Sequence, residues 1–122
     1  MYNATECFME KMQDFFPATR ERYDQSVKTY GKVLETVVIE DIFVPEVIKL
    51  LSTRKKSQLL EEIFQYIEEI VKGDNIHLIN ILSITMFEIL GNDREILKYA
   101  KHYMGPETTM LQEKADKELG RV

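Results

Sequence analysis

The sequence predicts an all-α protein, an irregular orthogonal bundle of six or seven helices around a central apolar helix at about residues 75–90. Three observations carry that expectation. Apolar residues recur at helical spacing through most of the 122 residues. Five Gly and three Pro leave few breaks, so each one marks the end of a periodic segment. The stretch 76-IHLINILSITMFEILGN-92 is apolar on almost every side, as a helix wrapped by others would be. A HEAT-like stack of helix pairs is the alternative arrangement, suggested by a loose echo between 46-EVIKLLSTRKKSQLL-60 and 85-TMFEILGNDREILKY-99. The length suits a single helical domain over 1–122.

The first helix is expected from Thr5 to Phe16, with Phe8, Met9, Met12, Phe15 and Phe16 on one face and Pro17 as its stop. The second runs from about Ala18 to Leu34 on a narrow stripe of Tyr23, Val27, Tyr30 and Leu34. Residues 33–44 are ambiguous, because Val37, Val38 and Ile39 suit a strand. No second strand-like run offers a partner, so a helix from about Val38 to Leu51 is expected, with Pro45 either kinking it or opening a shorter helix.

The fourth helix is the clearest. Ser57 can cap it, and Leu59, Leu60, Ile63, Phe64, Ile67 and Ile70 form a broad inner face. Gly73 is expected in the left-handed position after it, and Asp74 as the cap of the fifth helix. Asn92 or Asp93 then caps a sixth helix from Arg94 to Met104, with Tyr99 and Tyr103 on its inner side. Pro106 opens a seventh from Glu107 to Leu119, with a thin stripe of Thr108, Leu111, Ala115 and Leu119 and a loose GRV tail.

The net charge of −5 lies entirely in the second half. Residues 1–56 hold nine acidic and nine basic side chains, and residues 57–122 hold twelve and seven. That balance argues against nucleic-acid phosphates and favours a basic protein partner. No window approaches the roughly 18 uninterrupted apolar residues of a membrane span. The opening MYNATECFMEK has no basic leader before an apolar run, and Cys7 stands alone, so a cytoplasmic protein is expected.

Chemistry-bearing patterns are sparse. Asp74 and His77 have the i, i+3 spacing of two metal ligands, but the further Glu and His residues of a di-iron bundle are missing, so neither metal nor cofactor is expected. His102 falls on the polar side of its helix, and Cys7 lacks a nearby base. No phosphate-binding, HExxH or GxSxG pattern occurs. The surface feature of note is the acidic back of the fourth helix, Glu61, Glu62, Glu68 and Glu69, a candidate strip for docking a basic partner. Glu88 is the acid inside the apolar fifth helix. Either it reaches the surface, or it is a buried polar group with a partner and a candidate functional residue.

The segments 86-MFEILGND-93, 103-YMGPETTML-111 and 119-LGR-121 give the second half a further meaning. In them the chain resembles a family of small bacterial helical proteins with no established function. The resemblance implies an immunity-like or accessory role. The expected function is therefore a non-enzymatic protein–protein interaction module. A homodimer burying the apolar first helix or part of the third is one alternative, and an enzyme of unrecognised type is the other.

Overall fold

The computed structural model describes residues 3–121, and among them the chain is helical with no strand. We number seven helices: α1 (Ala4–Phe15), α2 (Arg20–Tyr30), α3 (35–52), α4 (Gln58–Lys72), α5 (76–92), α6 (Arg94–Ala100) and α7 (Pro106–Glu118). A 3₁₀ turn, Pro17–Thr19, joins α1 to α2. The all-α class is as expected. The helices do not stack as successive pairs, however: α7 packs on α4 and α5, and the second half of α3 packs on α6.

Local chemistry sets most boundaries. Side-chain acceptors cap four helices: Asn3 takes the Glu6 N–H, Ser57 takes Leu60, Asn75 takes Leu78, and Asp93 takes both Glu95 and Ile96. Asn75, one residue after the expected Asp74, therefore caps α5, because from that position its Oδ1 meets the third helical N–H. Gly73 is extended (φ −79°, ψ −167°) rather than left-handed. α2 stops four residues before Leu34, where Gly31 turns left-handed at φ 72° and its N–H closes on the Val27 carbonyl. Of its expected stripe, Tyr23 and Val27 are half-buried and Tyr30 is exposed.

The ambiguous segment is helix, and longer than expected. α3 begins at Glu35 and runs to Ser52. It contains a π turn, Ile39–Phe43, where the Val44 N–H reaches back five residues to Ile39. Pro45, which has no N–H to give, follows this widened turn at an exposed position, so the helix continues through it. α5 has a second π turn, Ser83–Phe87, with the Glu88 N–H on the Ser83 carbonyl.

The π turn explains why α5 looked apolar all round. Each residue advances a helix by about 100°, and a π turn inserts one extra residue. Leu78, Ile81 and Leu82 before the turn, Thr85, Met86 and Phe87 within it, and Leu90 and Gly91 after it are thereby brought round to the core side. The opposite side is open: Ile84 is 51% exposed and Ile76 64%. α5 is central in its packing, touching the π turn of α3 as well as α4, α6 and α7, but it is not enclosed.

The core is one cluster that includes Phe8, Met12, Phe43, Phe64, Leu82 and Phe87. The inner faces of α1 and α4 lie in it as the periodicity predicted. On the apolar face of the first helix, Phe8, Met9 and Met12 are buried within the chain, and Phe15 and Phe16 are half-buried.

Candidate functional site

The exposed back of α4 is a ridge with a groove on either side. Helical spacing sends Glu61, Gln65 and Glu68 along one flank and Glu62, Gln65 and Glu69 along the other. The first flank borders a groove of about 620 Å³ between α4 and the segment from Tyr99 to Gly105. Phe64, Tyr99, Tyr103 and Met104 line it together with Lys56, Glu61 and His102. The Phe64 and Tyr103 rings stack at 6.0 Å, and Tyr99 meets Tyr103 edge-on at 5.8 Å. The Tyr103 hydroxyl accepts the Ser57 N–H at 3.3 Å and contacts the Tyr99 hydroxyl at 3.4 Å. That contact, with burial second, raises the Tyr99 pKa above the ordinary phenol value.

The second flank borders a smaller groove of about 310 Å³ with Lys11, Phe15, Tyr66, Glu62 and Glu69. Here the chain supplies its own cation. Lys11 Nζ sits 5.1 Å from the Phe15 ring centre and 5.8 Å from that of Tyr66, within cation–π range of both.

The four candidate glutamates do not share one environment. Glu61, Glu62 and Glu69 are exposed, and Glu69 is 3.8 Å from Lys72. Glu68 is buried, a correction to its expected place on the solvated face. Its Oε1 accepts from the Thr108 N–H at 2.8 Å and the Thr108 Oγ1 at 2.7 Å, and its Oε2 accepts from the Glu107 N–H at 3.0 Å. A carboxylate from α4 thus caps the N-terminus of α7, where free N–H groups and the helix dipole favour negative charge. Burial alone would raise the Glu68 pKa, but the hydrogen bonds from Thr108 and Glu107, together with Lys72, lower it overall. Gly105 makes the contact possible, since a Cβ there would lie 2.5 Å from the Glu68 carboxyl carbon.

A second polar cluster fixes the other end of α7. Asp116 is buried and accepts from Arg94 and Arg121, each at 3.3 Å, and from Gln112 at 3.2 Å. Gln112 Nε2 also donates to the Phe87 carbonyl at 2.8 Å, while its Oε1 is buried without a partner among the described residues. Arg121 donates to the Glu88 carbonyl at 3.0 Å and to the Asn92 side chain. The chain end is not loose at Arg121. The Arg121 N–H closes on the Asp116 carbonyl and the Gly120 N–H on Lys117, a Schellman turn with Gly120 at φ 71°. Val122 of the expected GRV tail lies outside the described residues.

These two clusters give the three sequence segments a physical meaning. Gly91 lies beneath the Asp116–Arg121 contact, and a Cβ there would come within 2.3 Å of both side chains. Gly105 and Thr108 belong to the Glu68 cap, and 119-LGR-121 is the Schellman turn that brings Arg121 back to Asn92. All three act on the docking of α7. The buried face of that helix is Thr108, Gln112, Ala115 and Asp116, so the expected stripe keeps Thr108 and Ala115, gains two polar members and loses Leu119, which is 46% exposed.

The remaining candidates are plainly placed. Glu88 is half-buried, and it is its backbone carbonyl that bonds Arg121. His77 is exposed and 3.1 Å from Glu35 on α3. His102 is exposed, with its ring 6.0 Å from Tyr99. Cys7 is exposed. Among the described residues no group of three or more His, Cys, Asp or Glu side chains gathers to hold a metal, and no helix is long and apolar enough to cross a membrane. Tyr99 and Tyr103, expected on the inner side, are half-buried against the core and also line the larger groove. Their combination of apolar ring and polar tip, beside the Gly105-Pro106 break, was the available signal.

No significant similarity to a curated protein or to a solved structure was found. A family model described as "Domain of unknown function (DUF7674)" matches residues 9–119, nearly the whole chain. The chain therefore belongs to the DUF7674 family, a family whose function is unknown.

Proposed function

We propose that this chain is a non-enzymatic protein–protein interaction module that docks a basic partner on the ridge of α4. The observation that supports this reading is the state of the ridge carboxylates. Glu61, Glu62 and Glu69 are exposed between two aromatic grooves, and among the described residues neither Glu61 nor Glu62 takes part in an ion pair. Like charges along one helix repel each other, and a basic surface would relieve that repulsion while burying the neighbouring rings. Glu68 is not part of this strip. Its oxygens are already occupied, and its lowered pKa suits a fixed anion rather than a proton carrier.

The test compares the wild-type chain with a variant carrying Glu61→Gln, Glu62→Gln and Glu69→Gln. Both would serve as bait for capture from a lysate of the native host, followed by association-rate measurements on the captured partner. The expected outcome is slower association of the variant and a wild-type rate that falls with added salt. Equal rates with no salt dependence would refute the reading.

A further inference from the structure

We propose that the groove between α4 and the Tyr99–Gly105 segment receives an arginine side chain from the basic partner. This rests on the docking reading above and adds the identity of the recognised group. The same helix already shows the chemistry on its other flank. There Lys11 lies over Phe15 and Tyr66, beside Glu62 and Glu69. The larger groove repeats the combination of rings and a carboxylate, with Tyr99, Tyr103 and Glu61.

Arginine fits this groove better than lysine for two reasons. Its guanidinium is flat and stacks on aromatic rings, and two rings, Tyr99 and Tyr103, line this groove at 81° to each other. Glu61 in the lining is exposed and outside any ion pair among the described residues, so both oxygens are available for paired N–H donors. The fixed negative charge of Glu68 lies in the same lining. Lys56 belongs to the same lining and opposes a cation, which gives the proposal a sign that can be measured.

The experiment uses the full chain and blocked glycine–serine peptides carrying arginine, lysine or glutamate at the same positions. Titrations are followed through the ring proton resonances of Tyr99 and Tyr103. The arginine peptide should bind most tightly and shift both rings, and the glutamate peptide should not bind. Tyr99→Leu is preferred to a change at Tyr103, whose hydroxyl also supports the Ser57 backbone. It should weaken arginine binding by about two- to fivefold, the size of an exposed cation–π contact, and remove the preference over lysine. Glu61→Gln should weaken both cationic peptides, and Lys56→Gln should tighten both. An arginine peptide that binds without moving the tyrosines, or keeps its preference in Tyr99→Leu, overturns the arginine site. If such binding still weakens in the Glu61/Glu62/Glu69 variant, the docking reading survives. Binding of neither cationic peptide overturns both, and tighter binding of the glutamate peptide assigns the groove to an anion instead.

Discussion

Glu68 and Thr108, 40 residues apart in the chain, are joined by two hydrogen bonds to one carboxylate oxygen, one from the Thr108 backbone and one from its hydroxyl. Through them α4 supplies the cap that α7 lacks in its own sequence, where Gly105 at the N-cap offers no side chain. The relationship also connects packing to the proposed function. Glu68 lies in the lining of the larger groove, so the docking of α7 and the shape of that groove depend on the same side chain.

Replacing Glu68 with Ala should destabilise the fold by about 1–3 kcal/mol, because two backbone N–H groups and a buried hydroxyl lose their acceptor. Urea unfolding would measure it. A change as small as that from Glu69→Gln on the exposed ridge would show that Glu68 does not cap α7.

The same carboxylate gives a pH dependence with a definite sign. Its folded pKa lies below the ordinary value of 4.5, since the hydrogen bonds and Lys72 outweigh burial. A depressed carboxyl contributes stability that is present above the unfolded pKa and is lost as pH falls through the folded one. The difference in urea midpoint between wild type and Glu68→Gln should therefore be constant near neutrality and shrink below about pH 4.5. A difference that grows on acidification would contradict the assignment.

At Gly91 two effects of opposite sign compete. Within a helix, Gly→Ala ordinarily stabilises by about 1 kcal/mol. Here the new methyl would lie 2.3 Å from Asp116 Oδ1 and Arg121 Nη1. Overpacking of that kind costs about 1–3 kcal/mol and should prevail. Gly91→Ala is therefore expected to lower the thermal midpoint, and a raised midpoint would mean that the Asp116–Arg121 contact yields easily.

The two sides of α5 should respond very differently to truncation. Leu82 is fully buried and Ile84 is 51% exposed. Leu82→Ala should cost about 2–5 kcal/mol, whereas Ile84→Ala should cost well under about 1 kcal/mol. Comparable losses from chemical denaturation would place the π-turn phase of α5 in error.

Apolar spacing made the inner face of α4 legible, and Leu60, Ile63, Phe64 and Ile67 are buried as their periodicity requires. It failed where the period itself changes. Val44, Val47 and Leu51 fall out of step with Val38 and Ile42 at a constant 100°, and the π turn between them restores a common face. It was only partly right for α7, where Thr108 and Ala115 are buried as expected but Gln112 and Asp116 are buried beside them and Leu119 is exposed. A polar side chain signals burial only through its partner, and those partners lie on α4, α5 and α6 and at Arg121. For the same reason Glu68 could not be told from Glu61 by sequence. The grooves were hidden too, although the ridge between them was visible in Glu61, Glu62 and Glu69.

Asp116 and Arg121 provide the sharpest test of how α7 is held. Two ion pairs close to each other at the C-terminal end of this helix differ mainly in burial. Asp116 has a side chain 5% exposed and Arg121 one 21% exposed, at 3.3 Å, while Lys114 and Glu118 are 70% and 58% exposed at 4.0 Å. Exposed pairs contribute little because water screens them and long side chains lose freedom. A buried carboxylate that loses a donor keeps its desolvation cost, although Arg94 and Gln112 would still support Asp116. The double-mutant cycle of Asp116→Ala and Arg121→Ala should therefore show a coupling of about 0.5–3 kcal/mol. The cycle of Lys114→Ala and Glu118→Ala should show about 0.5 kcal/mol or less. Amide exchange gives an independent reading: Arg121→Ala should speed exchange in the last turn of α7 more than in α1, whose contacts it does not touch. Equal couplings in the two cycles, with uniform exchange along α7, would mean that the apolar contacts of Ala115 and Leu111 hold the helix and that the Arg121 turn is incidental.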